Sequence, residues 1–243
     1  MLMGFVGIGF VDDSYKFIAI GGLGILSLIL FYWSLREGLK FNFTLISLIL
    51  PALFTLGVGL FWFLLPVSII TRIPVFIFFA LGIYAICLTS NIYTISAIRT
   101  IALLRAARGV GFVLTLITSF FLLDAILSIK SQVWMQSLLC FIATFPIYLQ
   151  GYWTVKLEDN FDKEIFVLSF FSSFIIAEVA VSLYFWPVTV VVGSLFMIGI
   201  MYILLGLGQA KLEGRLFVQT LREYLLVGLM VFLGMFFATR WGG

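Results

Sequence analysis

The stretch GVGFVLTLITSFFLLDAILSIK, from Gly109 to Lys130, contains an apolar run long enough to cross a lipid bilayer. A membrane-spanning α-helix needs about 20 consecutive, mostly apolar residues. One carboxylate, Asp124, interrupts this run. The rest of the chain repeats the same pattern of long apolar segments joined by short polar connections, so this stretch indicates how the whole protein is built.

The composition points to lipid as the main solvent of the chain. Of its 243 residues, 63% are hydrophobic and only 10% are charged, whereas a soluble domain carries about 25% charged residues. So few charges are insufficient to cover a water-facing surface. We therefore predict an all-α, polytopic membrane helix bundle without a soluble domain. The net charge of +3 is small and does not indicate a nucleic-acid partner.

Eight segments are long and apolar enough to be spans of a single transmembrane domain covering residues 1–243. Residues 1–16 form a short apolar tail, which lacks the basic start of a secretory signal. The boundary between the sixth and seventh spans depends on one turn signal, Trp186-Pro187, and Pro51 interrupts the second span. The predicted spans are 17–35, 41–65, 74–97, 109–130, 133–155, 165–186, 187–207 and 224–239.

The distribution of lysine and arginine predicts the orientation of the chain. Ten of the fourteen lie in the connections after spans one, three, five and seven. Connections rich in lysine and arginine usually face the cytoplasm. We therefore expect a multi-pass protein of the plasma membrane with both termini outside.

The residue types present exclude several kinds of chemistry. The chain has no histidine, which removes His-ligated haem, zinc proteolysis of the His-Glu-x-x-His type and Ser-His-Asp hydrolysis. Cys87 and Cys140 lie in separate apolar segments and form no metal-binding or redox pair. The acidic motifs of prenyltransferases, the glycine-serine motif of intramembrane serine proteases and phosphate-binding loops are absent. We expect no cofactor and no metal.

Two carboxylates within the apolar segments, Asp124 and Glu178, are the first candidates for a functional site. Asp124 lies fifteen residues after Gly109 and Glu178 thirteen after Ile165. At 1.5 Å rise per residue, both lie about 20 Å from the cytoplasmic edge. Charged groups inside a membrane are costly and are often functional. Asn91 is a third unexpected polar residue, in the inner half of the third span.

Three interpretations of the two carboxylates remain open. They fix helix packing through hydrogen bonds, they line an outward-facing cavity for a cation, a proton or a lipid headgroup, or they form a catalytic acid/base pair. Ser169, Ser173 and Ala177 are spaced by four, which marks a close-packing face on the sixth span. Because Glu178 follows Ala177 directly, we expect Glu178 to point into the bundle.

The basic cytoplasmic connections suggest contacts outside the bilayer. They predict interfacial helices, helix extensions, or docking sites for anionic headgroups or a protein partner. The basic residues that carry this prediction are Arg99, Arg105, Arg108, Lys211 and Arg215.

The leading functional prediction is a membrane protein that binds or passes a small solute, a proton or a lipid, or that serves as the membrane subunit of an assembly. The alternatives are a membrane-embedded enzyme that uses Asp124 and Glu178, which we favour less, and a scaffold that docks a partner through its basic loops. The expected partners are membrane lipids, with a protein partner or a second copy of the chain as further candidates.

Overall fold

A computed structural model describes residues 15–36, 43–65, 69–96, 102–157 and 162–239. These ranges contain eight α-helices and one 3₁₀-helix, Phe43–Leu48, which directly precedes α2. The helices are α1 Lys16–Leu35, α2 Ile49–Leu64, α3 Ile69–Ser96, α4 Leu104–Ser128, α5 Val133–Lys156, α6 Lys163–Tyr184, α7 Val190–Leu212 and α8 Val218–Ala238.

The prediction of an all-α protein with eight membrane-spanning helices is confirmed for the described ranges. Each helix, with α2 taken together with its 3₁₀ segment, is long and apolar enough to cross a membrane. Only the later part of each basic segment before the predicted fourth and eighth spans extends the helix, because α4 begins at Leu104 and α8 at Val218. The predicted N-terminal tail before Tyr15 and the loop residue Arg99 lie outside the described residues.

Pro51 lies at the transition from the 3₁₀-helix to α2 rather than at a break in the middle of a helix. A proline has no backbone N–H, so the regular bond to the carbonyl four residues earlier is missing. Hydroxyl groups surround the Pro51 carbonyl, which accepts hydrogen bonds from Thr55 Oγ1 at 2.8 Å and from Ser27 Oγ of α1 at 3.2 Å. Polar side chains thus join α1 to α2 at this point.

The turn between α6 and α7 was predicted from Trp186-Pro187, and the structure has α6 ending at Tyr184 and α7 beginning at Val190. The predicted start of the seventh span at Pro187 is therefore three residues too early. Thr189 is the N-cap, and its side chain accepts a hydrogen bond from the Val192 backbone N–H at 3.4 Å. Threonine is a good N-cap because its oxygen satisfies an otherwise unpaired donor.

The chain divides into two compact units: unit 1 is Met1–Leu122 with Leu157–Phe161, and unit 2 is Leu123–Lys156 with Asp162–Gly243. In unit 1, the aromatic ring of Phe54 stacks on that of Phe79 with 5.9 Å between centroids. Tyr93 Oη of α3 donates a hydrogen bond to the Ala107 carbonyl of α4 at 2.8 Å. A Cβ atom at Gly111 would overlap the Tyr93 hydroxyl, so glycine permits this close approach.

In unit 2, a buried tyrosine connects α5, α6 and α7. Tyr152 Oη donates to the Leu204 carbonyl of α7 at 3.0 Å and lies 2.8 Å from Ser172 Oγ of α6. A Cβ atom at Gly208 would overlap the Tyr152 ring. We refer to Tyr152, Ser172, Leu204 and Gly208 as the Tyr152 junction. It fixes three helices to one another through a single hydroxyl group.

The start of α6 is fixed by Asp162. Its Oδ1 accepts a hydrogen bond from the Glu164 backbone N–H at 2.8 Å, and its other oxygen accepts one from the Lys156 ammonium at the end of α5. The same ammonium lies 3.4 Å from Glu164 Oε2. This group of charges closes the connection between α5 and α6.

Substitution of Asp162 separates its capping role from its ionic role. The Lys156 ammonium and the Glu164 N–H hold the pKa of Asp162 below its usual value. Its stabilising contribution is therefore present above the unfolded pKa of about 3.9 and is lost as pH falls through the lower folded pKa. We expect Asp162→Ala to lower the free energy of unfolding by about 1 kcal/mol at pH 7. Asp162→Asn, which retains a capping oxygen, should cost no more than about 1 kcal/mol.

Thermal unfolding of the purified protein in detergent at pH 7 and pH 3 measures both effects. The stability lost between these pH values should be smaller for Asp162→Asn than for the wild type. An equal loss in the two proteins would show that the ionised carboxylate of Asp162 contributes nothing.

Candidate functional site

Asp124 lies near the end of α4 and is buried, with 4% of its surface exposed. Ser194 Oγ of α7 donates a hydrogen bond to Asp124 Oδ1 at 3.0 Å and also lies 3.0 Å from the Val191 carbonyl. A serine hydroxyl carries one proton. The Ser194 hydroxyl therefore shares its single proton between the Asp124 carboxyl and the Val191 carbonyl.

A cavity of about 300 Å³ lies within unit 2, where α4 and α6 end and α5 and α7 begin. Its polar lining consists of Lys130, Gln136, Tyr184, Trp186 and Thr189. Its apolar lining consists of Leu127, Leu183, Val188, Val190 and Gly193. We call it the Lys130 cavity.

The Lys130 cavity lies next to the buried carboxyl but does not include it. Leu127 of the lining is three residues after Asp124 on α4, and Gly193 of the lining precedes Ser194 on α7. The Asp124–Ser194 hydrogen bond therefore holds together the two helices that form one wall of the cavity.

Gln136 is the most unusual group in the lining. It is only 5% exposed, and its side-chain amide has no hydrogen-bond partner among the described residues. Buried amides are normally hydrogen-bonded. Tyr148 Oη and Gln150 Oε1 are buried atoms without hydrogen-bond partners, but neither residue lines the cavity. Gln136 therefore presents an unused donor and an unused acceptor at the cavity wall.

The connection between α6 and α7 is held in place by the end of α8. Trp186 Nε1 donates a hydrogen bond to Thr239 Oγ1 at 2.9 Å, and Thr239 Oγ1 donates to the Met235 carbonyl at 2.9 Å. The Trp186 ring, which lines the cavity, is thus fixed by the residue that follows α8.

Glu178 does not point into the bundle, so that expectation is wrong. Its residue is exposed on α6, and no hydrogen bond or ion pair of its carboxylate is found in the described part of the chain. The small residues Ser169, Ser173 and Ala177 are buried as expected. Glu178 follows Ser169 by nine residues, which is two and a half turns at about 3.6 residues per turn. It therefore faces away from the middle of the buried face, although it adjoins Ala177.

The remaining predicted site residues are distributed over both units. Asn91 is exposed on α3, and Arg105 and Arg108 lie in the first turns of α4. In unit 2, Lys211 Nζ lies 3.7 Å from Glu164 Oε1, and Arg215 Nη1 lies 3.7 Å from Glu213 Oε2. Glutamates thus partly neutralise the two basic residues of unit 2.

Sequence reasoning identified Asp124 but missed its partner and the buried amide of the cavity. Ser194 is 70 residues from Asp124, and serine is common in membrane helices, so no local pattern marks it. Gln136 lies in the first turn of α5 beside the exposed Trp134 and Met135. At that position a glutamine resembles an ordinary residue of the membrane boundary.

Eight apolar spanning helices, with a partly polar cavity at the ends of four of them, define a multi-pass integral membrane protein. The chain belongs to the family described as "Protein of unknown function (DUF5656)", whose model matches residues 15–238. No curated protein and no solved structure matches the chain.

Proposed function

We propose that the protein binds a small polar or amphipathic molecule, a solute or a lipid, in the Lys130 cavity. The observation that carries this proposal is the Gln136 side chain, which belongs to a residue only 5% exposed, lines the cavity and has no hydrogen-bond partner among the described residues. A ligand in the cavity can form hydrogen bonds with both the NH₂ group and the oxygen of the Gln136 amide.

The size and composition of the cavity support binding. Its volume of about 300 Å³ is at the lower end of the range of about 300–1,000 Å³ for ligand pockets. Such pockets are mainly apolar and contain a few polar groups that orient the ligand. The Lys130 cavity combines leucine and valine side chains with an ammonium, an amide and two hydroxyl groups.

The depth of the cavity favours binding over passage through the membrane. Along α7 the lining extends only to Gly193, the fourth residue of a helix of 23 residues. Along α4 the lining extends only to Leu127, the second-last residue of that helix. The cavity is therefore confined to the helix ends. The excess of lysine and arginine in the connections at the opposite ends supports an outward-facing position.

The two alternative functions have less support. The enzyme requires Asp124 and Glu178 to act together, but Asp124 is buried against Ser194 and Glu178 is exposed on α6. The scaffold requires an available basic surface, and in unit 2 both Lys211 and Arg215 have a glutamate neighbour. We therefore retain ligand binding as the single proposal.

Filling the cavity tests this proposal. A Cβ atom at Gly193 would lie 3.6–3.7 Å from side-chain atoms of Leu127, Leu183 and Val188, which is ordinary contact. A leucine at position 193 should therefore occupy the cavity. Gly22→Leu is the matched control, since no atom lies within 4 Å of a Cβ at this exposed position of α1.

Native mass spectrometry of the proteins, purified from their host membrane in mild detergent, measures retained molecules. We expect the wild type and Gly22→Leu to carry the same bound species and Gly193→Leu to lose it. Absence of a bound species from the wild type, or its retention by a folded Gly193→Leu protein, would contradict the proposal.

A further inference from the structure

We infer that the ligand of the Lys130 cavity carries an oxyanion, a phosphate or a carboxylate, which Lys130 binds. This inference rests on the proposed binding function and adds the chemical class of the ligand. It follows from four features of the cavity: the charge of its lining, a lysine without an ion-pair partner among the described residues, the start of a helix, and the Gln136 amide.

The polar lining of the cavity is rich in hydrogen-bond donors. Lys130 provides an ammonium, Gln136 an amide NH₂, and Tyr184 and Thr189 each a hydroxyl group. Among the residues that the structure describes, no aspartate or glutamate belongs to the lining. The nearest carboxyl along the chain is Asp124, which is buried beneath the cavity and bonded to Ser194. The described part of the lining thus carries a positive charge and no negative one.

Lys130 is not neutralised by another part of the described chain. The ion pairs of the described residues involve Lys156, Lys211 and Arg215, but not Lys130. Lys130 has a φ of 48°, a left-handed conformation, two residues beyond the end of α4. Left-handed residues commonly end helices, and this one places the lysine at the cavity instead of extending the helix.

The start of α7 adds a second positive contribution. The first turn of an α-helix has backbone N–H groups without helical partners, and the helix dipole makes this end favourable for anions. Val190, the first residue of α7, lines the cavity, and Thr189 precedes it. The Thr189 side chain satisfies the Val192 N–H, which leaves the first N–H groups of α7 beside the cavity.

The buried Gln136 amide supplies an observation that is independent of charge. Its NH₂ group can donate to an anionic oxygen, and no described residue competes for it. A lysine ammonium, an amide and a helix start around one cavity match the needs of an oxyanion, which accepts several hydrogen bonds at once. The adjacent Leu127, Leu183 and Val188 provide an apolar wall, so the same cavity suits a lipid headgroup or a free oxyanion.

The test compares two lysine substitutions in full-length protein. Lys130→Gln removes the charge at the cavity. Lys163→Gln is the matched control, because Lys163 is exposed, has no ion pair among the described residues and lies at the opposite helix ends of unit 2. In the first arm, each protein is placed in phosphatidylcholine nanodiscs with and without phosphatidylglycerol, which tests a lipid headgroup. In the second arm, each protein is placed in phosphatidylcholine nanodiscs with inorganic phosphate or acetate in the buffer, which tests a free oxyanion.

Native mass spectrometry gives the ratio of retained phosphatidylglycerol to phosphatidylcholine, and thermal unfolding gives the effect of the soluble anions. If a headgroup is the source, the wild type retains phosphatidylglycerol preferentially, and Lys130→Gln lowers this ratio about tenfold, as expected for a charge-assisted hydrogen bond. If a free oxyanion is the source, phosphate or acetate stabilises the wild type but not Lys130→Gln. In both cases Lys163→Gln behaves as the wild type.

Other results overturn the inference in distinguishable ways. If Gly193→Leu abolishes retention while Lys130→Gln leaves it unchanged, the cavity binds a ligand that is not held by charge, and only the oxyanion inference is wrong. If neither substitution alters retention, the proposed binding function is wrong as well. Equal effects of Lys130→Gln and Lys163→Gln would show non-specific attraction between the protein's charge and anions.

Discussion

Substitution of Gly208 by alanine is expected to lower the free energy of unfolding by about 2–6 kcal/mol. The added Cβ atom would overlap the Tyr152 ring, and overpacking of this kind costs about 1–3 kcal/mol. Displacement of the ring would also break the hydrogen bonds of the Tyr152 hydroxyl with Ser172 and Leu204. Loss of a buried hydrogen bond that leaves a group unsatisfied adds about 1–3 kcal/mol.

Unfolding in mixed micelles of SDS and a mild detergent measures this effect. Gly234→Ala on α8 is the control, since no atom lies within 4 Å of a Cβ there, and it should be neutral or slightly stabilising. A second background tests the cause directly. If the overlap with the Tyr152 ring is responsible, Gly208→Ala should cost much less in a Tyr152→Leu protein, and an equal cost in both backgrounds would contradict this explanation.

Substitution of Ser194 by alanine is expected to cost about 1–3 kcal/mol, because the buried Asp124 carboxyl would lose its only hydrogen-bond partner among the described residues. Asp124→Asn should cost less than about 1 kcal/mol, since an amide is neutral and can also donate to Ser194. The double variant Asp124→Leu with Ser194→Ala removes both polar partners and should recover most of the stability lost in Ser194→Ala.

The same SDS titration measures this series, and the single variant Asp124→Leu completes a double-mutant cycle. Ser169→Ala is the control for loss of a buried serine, because Ser169 Oγ bonds only to the Ile165 carbonyl of its own helix, at 2.7 Å. Its cost should be small. If Asp124→Asn is as damaging as Ser194→Ala, an uncharged hydrogen-bond partner at position 124 does not replace the carboxyl, which would contradict this explanation.

The number of helices could be predicted from the sequence because lipid imposes a simple requirement. A spanning backbone must satisfy its own hydrogen bonds, so each span is a helix and each helix is a long apolar run. The ends of the helices were less predictable. The segment from Leu104 to Arg108 contains two arginines and therefore does not belong to an apolar run. Arginine, leucine and alanine are good helix formers, and α4 includes this segment.

The candidate site could be predicted only where one residue is unusual by itself. A carboxylate within an apolar run is unusual whether it faces the bundle or the lipid. Asp124 and Glu178 could therefore both be identified as candidates. Asp124 is buried and Glu178 is exposed, because burial depends on which face of a helix meets its neighbours. Consecutive residues of a helix point about 100° apart, so the burial of Ala177 does not predict the burial of Glu178. Ser194 and Gln136 are ordinary in sequence and become significant only through residues that are distant in the chain.

The hydrogen bond between Trp186 and Thr239 has a consequence for the order in which the protein is completed during synthesis. The two residues are 53 positions apart, and the chain is made from its N-terminus, with the earlier parts folding first. The Trp186 wall of the Lys130 cavity cannot receive this bond until α8 and the residue after it have been made and inserted. The helices that carry the cavity are thus in the membrane before the cavity has its final form, and a chain that ends within α8 lacks the bond that fixes Trp186 in the cavity wall.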